Sequence, residues 1–267
     1  MKGKALYLSS MGLAVMIGLL GLSVFSQAQE LEAQGYLLTE YVVKPYMTKE
    51  FETAAIEEIA MFADIHFPYG WVAYCTEDFH YYFFTPIGKD AASLDRFNAA
   101  LTEAEARFPE SYAMLEKRMA EASEYYREAI VYLRPDLFYT PAEFNIKPEE
   151  SNYVFFELAY ILPGKEKEFE AYYKEWAALC RKIGFRIGYV AYKGEFGTDN
   201  PLYISTMIAK TQADTFVEED RIMKTLGPDE QAELGTMYEK AYTFFRKYET
   251  RHGRSRPDLS YTPKAKR

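Results

Sequence analysis

Little in this chain announces a reaction. Its 267 residues include three histidines (His66, His80 and His252) and two cysteines (Cys75 and Cys180), and none of the five stands at a metal-ligand spacing from another. No metal site is therefore expected. A Gly-x-Gly-x-x-Gly turn, a phosphate-binding Gly-x-x-x-x-Gly-Lys loop and a Gly-x-Ser-x-Gly elbow are all missing. Their absence removes dinucleotide, nucleotide and serine-hydrolase readings. Positive charge is also short. The formal net charge of −9 makes a polyanion a poor partner, so no nucleic acid is expected. There is no low-complexity tract and no long linker.

Long apolar runs are absent too, with one exception at the N-terminus. Lys2 and Lys4 precede Met11–Phe25, which carries no charge, and Ser26-Gln27-Ala28 places small residues where a signal peptidase reads them. The run is shorter than the ~18–20 apolar residues that a span needs. Residues 1–28 are therefore expected to be a signal peptide, with a retained anchor as the alternative. Cleavage near Ala28 would give an exported, periplasmic or secreted chain with no stable membrane span. That chain would be more acidic still, because the leader removes two lysines and no acid. In an exported protein Cys75 and Cys180 could form a disulfide or remain two buried thiols.

Aromatic residues are plentiful instead. The 24 Tyr and 19 Phe promise a substantial core. They also fall into a repeat. Arg134-Pro135-Asp136-Leu137-Phe138-Tyr139-Thr140-Pro141 recurs at an offset of 122 as Arg256-Pro257-Asp258-Leu259-Ser260-Tyr261-Thr262-Pro263, with one difference. Lys49-Glu50-Phe51-Glu52 matches Lys167-Glu168-Phe169-Glu170 at 118, and Gly70-Trp71-Val72-Ala73-Tyr74 matches Gly188-Tyr189-Val190-Ala191-Tyr192 at the same offset. Tyr82-Phe83-Phe84-Thr85 matches Tyr203-Ile204-Ser205-Thr206 at 121, which implies three added residues in the loop 194–201.

Each copy reads as a strand, a turn with proline or glycine, an amphipathic helix, a hairpin and a long helical region. The helical regions, about 90–127 and 211–248, are broken at Phe108-Pro109 and Gly227-Pro228. A closing strand is expected around the Arg-Pro-Asp-Leu motif. The order is βαββαβ, and the fold class is α+β: two tandem ferredoxin-like repeats, 29–145 and 146–267, whose sheets cover each other as an intramolecular pseudo-dimer.

The strand, turn and Lys-Glu-Phe-Glu that open each copy resemble the start of dimeric α/β-barrel proteins. That superfamily includes the antibiotic-biosynthesis monooxygenase-like and NIPSNAP-like families. The resemblance implies an α/β barrel closed within one chain, with a ligand cleft between sheet and helices. It also implies several functions: cofactor-independent oxygenases, haem-dependent enzymes, and members that only bind or assemble. The haem-degrading members carry a His on the second helix, and neither copy here has one.

The copies differ most on the first helix. An offset of 118 sets Tyr172 against Ala54, Tyr173 against Ala55 and Trp176 against Glu58. Loss of three aromatics leaves space, and a carboxylate on a core-facing stripe is costly unless it is paired or used. The expectation is a pocket in the first repeat, with the second filled in. Glu58 is the candidate catalytic base or ligand anchor, and His66, Trp71, His80 and Tyr82 are candidate ligand-binding residues. The alternative is a rotated helix that delivers Glu58 to solvent. The Arg-Pro-Asp-Leu pair reads either as a site or as the device that docks the repeats.

The leading functional reading is an exported protein that binds a small hydrophobic or aromatic molecule. The alternatives are a cofactor-independent oxygenase or haem-dependent enzyme, and a structural or partner-binding module. The cofactor is unknown, and further homo-oligomerisation is left open.

Overall fold

The computed structural model describes residues 34–141, 146 and 150–264; the expected signal peptide lies outside them. Among the described residues the element order β-α-β-β-α-α-β runs twice. The first half comprises β1 (Gly35–Val43), α1 (Thr48–Asp64), β2 (Val72–Thr76), β3 (His80–Gly88), α2 (Ala91–Arg107), α3 (Pro109–Ala122) and β4 (Ser123–Leu133). The second comprises β5 (Tyr153–Ile161), α4 (Glu166–Lys182), β6 (Tyr189–Phe196), β7 (Leu202–Ala209), α5 (Gln212–Thr225), α6 (Pro228–Tyr242) and β8 (Phe245–Ser255).

The helices stop and start where local chemistry dictates. Asp90 accepts from the Ser93 amide at 2.8 Å to cap α2. Pro109 and Pro228 open α3 and α6, where a missing N–H costs nothing.

All eight strands form one closed antiparallel barrel in the order β1-β3-β2-β8-β5-β7-β6-β4. The two seams between the halves are equivalent. Tyr74 pairs with Ser255 across β2 and β8, and Tyr192 pairs with Leu133 across β6 and β4. At the first seam Gly253 lies so close to β2 that a Cβ would strike the Cys75 carbonyl. Closure also removes exposed sheet edges.

Inside the barrel, Phe156 of the second half meets Tyr74, Tyr82 and Phe84 of the first, with ring centroids 5.6, 4.9 and 6.4 Å apart. The shared core is aromatic. Cys75 and Cys180 are both buried and free, one on β2 and the other on α4.

The Arg-Pro-Asp-Leu motifs are not strands. Each forms a 3₁₀ turn, because proline fixes φ and withholds its N–H. The closing strands, β4 and β8, run before them, and each begins within residues assigned above to a helical region. What the motifs do is crossed docking. Arg256, from the end of the second half, binds Glu52 of α1, and Arg134, from the end of the first, binds Glu170 of α4 at 2.6 Å. Each arginine is held by its own motif aspartate at 2.9 Å. Tyr81 donates to Glu52 at 2.7 Å and Tyr203 to Glu170 at 2.5 Å. Beyond the turns, Tyr261 bridges Trp71 and Tyr139 bridges Tyr189.

These pairs correct one match. Tyr82 faces Glu40 and Ile204 faces Leu158, so β3 and β7 are related by 122 rather than 121. The loop before β7 has four added residues, and Tyr81, not Tyr82, is the counterpart of Tyr203. A slip of one residue exchanges the faces of a strand.

The Arg256 guanidinium is almost fully buried, and its removal strands the Glu52 carboxylate. Arg256→Ala should lower unfolding free energy by about 3 kcal/mol. Urea denaturation checks this against Arg96→Ala, an exposed arginine on α2; an equal loss in the two variants would remove the docking role.

Candidate functional site

Two cavities lie between the barrel wall and the helices, one in each half. The first, of about 630 Å³, is enclosed by α1, α2 and α3 over the outer face of β1, β3 and β4. Alternation along the strands delivers Thr39 and Tyr41, Phe83 and Thr85, and Tyr126 and Glu128 to it. Glu58 projects from α1, Trp71 stands at the start of β2, and Glu105, Tyr112 and Glu116 come from the other two helices.

Glu58 is half-buried, and among the described residues nothing forms a hydrogen bond or ion pair with its carboxyl group. Burial, and then the nearby negative charge of Glu116, push it up to about 8. Glu128 is also raised, by burial and to a lesser degree by Glu116. Trp71 is fixed by donating its indole Nε1 to the Leu259 carbonyl at 2.9 Å, which ties the cavity to the docked motif of the other half.

The second cavity, about 480 Å³, is lined by Tyr172, Tyr173 and Trp176 of α4. The second half is therefore not filled in, as expected above, but only narrowed: the three aromatics line the space rather than occupy all of it. Two carboxylates line it: Glu219, which is exposed, and Glu157, which is satisfied internally. Glu157 accepts from Ser205 at 2.7 Å and from Tyr248, and Ser205 in turn accepts from Tyr173 at 3.1 Å. The Tyr189 hydroxyl is buried in this cavity and, among the described residues, has no hydrogen-bond partner.

The five candidate residues do not form one site. Glu58 and Trp71 line the first cavity. His66 sits just past the C-terminus of α1, exposed, with φ of 55° and its Nδ1 3.1 Å from the Ala63 carbonyl. His80 and Tyr82 fall on the opposite face of β3 from Phe83 and Thr85, and so point into the barrel.

There they join an ionic cluster. His80 Nδ1 lies 2.6 Å from Glu40, which also binds Arg127, and Arg251 reaches across the barrel to within 3.5 Å of Glu40. Burial pushes Glu40 up, but the His80 hydrogen bond and the Arg127 charge outweigh it and hold the carboxyl at about 2. The third histidine, His252, is on β8, where it packs on Phe155 and accepts from or donates to the Tyr153 hydroxyl at 2.7 Å.

Tyr41, Glu105, Tyr112, Glu116 and Glu128 were not among the sequence candidates. The i, i+4, i+7 spacing of Tyr112, Glu116 and Met119 marks one helical face and could have pointed to two of them.

No family model matches the chain, and no curated protein matches it. Solved structures do. An anthrone oxidase-like protein aligns with a TM-score of 0.58 at 15% identity, over 86% of this chain and 93% of its own. A protein assigned as a monooxygenase from Fusobacterium nucleatum gives 0.55 at 9%, over 88% and 98%. Chlorite dismutase from Candidatus Nitrospira defluvii, in complex with imidazole, gives 0.50 at 11%, over 86% and 93%. The fold is the dimeric α/β-barrel. At these identities the likeness extends to the fold and no further.

Chlorite-dismutase-like members make haem the cofactor to test. Neither cavity is lined by a histidine. The one thiol in a cavity wall, Cys180, is pushed up to about 12 by burial and stays protonated. Burial likewise raises Tyr41, Tyr112, Tyr172 and Tyr173 away from the phenolate form that could hold the iron, so these residues do not fit an axially ligated haem, and no step is derived through one.

Glu58 makes stability depend on pH. An unfolded chain releases this proton near pH ~4.3. The folded chain holds it to about 8, so stability falls as pH rises between those values and is lowest above them. Glu58→Gln should raise unfolding free energy at pH 8.5 by on the order of 3 kcal/mol and leave it nearly unchanged at pH 4. Chemical denaturation at the two pH values checks this; an equal shift at both would mean that Glu58 is not desolvated in the fold.

Proposed function

We propose that this is a small-molecule-binding protein whose site is the first cavity, with Glu58 as its polar anchor. The observation that carries the reading is the unpartnered Glu58 carboxyl group in the wall of a cavity of about 630 Å³, at a position where the second half has Trp176. A fold that can place an indole at this point gains nothing structural from an isolated acid. In this reading the chain is exported after cleavage near Ala28, and residues 29–145 and 146–267 are tandem ferredoxin-like repeats. The Phe62, Phe83, Phe97 and Trp71 walls suit an apolar or aromatic body. His66, His80 and Tyr82 have no part in this site.

The second reading, a cofactor-independent oxygenase, is favoured by the same residue. A carboxyl group raised to about 8 can take a proton from a weakly acidic substrate near neutral pH. The neighbours described as anthrone oxidase-like and as a monooxygenase support a search for that activity.

The protein's two tryptophans provide the test, because Trp71 lines the first cavity and Trp176 the second. In a Trp176→Phe background, a neutral apolar amine such as N-phenyl-1-naphthylamine should quench Trp71 emission saturably. Glu58→Phe, which rebuilds the bulk found in the second half without adding a second indole, should abolish the quenching. Quenching unchanged by that substitution would place the ligand elsewhere.

A further inference from the structure

We propose that the ligand of the first cavity is an organic cation, a planar or apolar body bearing a protonated amine or quaternary ammonium group. This inference rests on the first cavity being a binding site and specifies what it takes.

Two independent features of the cavity agree. Its walls present aromatic faces from several elements: Tyr41 on β1, Tyr112 on α3, Tyr126 on β4, and Trp71. Tyr41 and Tyr126 are stacked with centroids 5.6 Å apart, so they form a continuous π surface. Such faces attract cations, more strongly where water is excluded. The second feature is charge. Every element that brings an ionisable carboxyl group to the cavity brings a glutamate: Glu58 from α1, Glu105 from α2, Glu116 from α3 and Glu128 from β4.

Among the described residues no basic group is paired with any of the four. Lys117 stands at the exposed rim, with its Nζ 3.8 Å from Glu121. Arg118, the next cation on α3, is engaged by Glu50 and Glu57. The remaining titratable groups facing Glu58 are the tyrosines named above, and β3 contributes only Phe83 and Thr85.

The second cavity is the internal control. It is also aromatic, but Glu157 receives donors from Ser205 and Tyr248, and its other carboxylate, Glu219, is exposed to water, so it has no counterpart of the half-buried, unpartnered Glu58. A half-buried acid that lacks a positive charge is thus a property of the first cavity and not of the fold. A cation seated against Glu58 would supply it, favour the ionised carboxylate and release its proton. Binding should therefore tighten as pH rises and level off once Glu58 is ionised in the free protein.

Thioflavin T, a planar aromatic cation whose charge does not titrate, and the neutral N-phenyl-1-naphthylamine test this through Trp71 quenching in the Trp176→Phe background. Thioflavin T should bind at least about tenfold tighter at pH 8 than at pH 6, and the neutral probe equally at both. Glu58→Gln should cost the cation about tenfold or more, remove its pH dependence and leave the neutral probe unchanged. Glu116→Gln, on the exposed side of α3, should cost the cation a smaller factor.

Neutral-probe binding without a cation preference, or equal losses of both probes in Glu58→Gln, would overturn the cation assignment and leave the binding site standing. Quenching by neither probe would overturn both.

Discussion

The barrel depends on an exchange of ends. Each half finishes in an arginine-proline-aspartate turn that is of no use to its own helices. The turn docks instead on the first helix of the other half, where its arginine meets Glu52 or Glu170. The aspartate two residues on fixes the guanidinium, and a strand tyrosine completes the shell of each glutamate. The arrangement brings β4 to β6 and β8 to β2. With both seams made, the eight strands have no free edge, and the only surfaces left to bury are the outer faces of the sheet. The helices cover those faces incompletely. The cavities therefore follow from closure: one under each helical layer. Trp71, hydrogen-bonded to Leu259, shows the connection most directly.

Closure also makes the barrel lumen a common core, and the two halves treat it differently. Glu40, His80 and Tyr82 of the first half lie opposite Leu158, Leu202 and Ile204 in the equivalent register of the second. Burying Glu40 is tolerable because His80, Arg127 and Arg251 surround it, and the carboxyl is driven well below its ordinary range rather than above it. Glu58 shows the opposite balance. It is desolvated in a place where the charge of Glu116 repels it. Two glutamates drawn out of water, one buried in the lumen and one half-buried against the helices, thus end at opposite ends of the carboxylate range because their neighbours differ.

Much of this could be read from the residues. The eight-residue motif, the Lys-Glu-Phe-Glu starts and the hairpins are strong enough to give the element order and the pairing of the halves. The periodicity of Phe169, Tyr172, Tyr173 and Trp176 is enough to pick out the first helix as the place where the halves part. What was illegible has a physical cause in each case. The closing strands were missed because β8, Phe-Arg-Lys-Tyr-Glu-Thr-Arg-His-Gly-Arg-Ser, has no apolar alternation: its lumen-facing positions are Lys247, Glu249 and Arg251, members of the ionic cluster. The register of β3 slipped by one because two successive tyrosines, Tyr81 and Tyr82, can each be set against Tyr203. That slip matters for function, since it decides whether His80 and Tyr82 face Glu58 or face away from it.

The comparison between halves is sharper once both cavities are known to exist. A filled second half would have made Glu58 a mere consequence of lost packing. An open one means that the fold leaves space under both helical layers, so the differences inside that space are not needed to create it. Ala54 and Ala55 against Tyr172 and Tyr173 change its size. Glu58 against Trp176 changes its chemistry, from a wall that asks nothing of a ligand to one that carries an uncompensated acid. Packing explains the first difference completely. It does not explain the second, because leucine or methionine at position 58 would close the same surface without the desolvation cost. The residue that packing fails to explain is the one on which a function can rest.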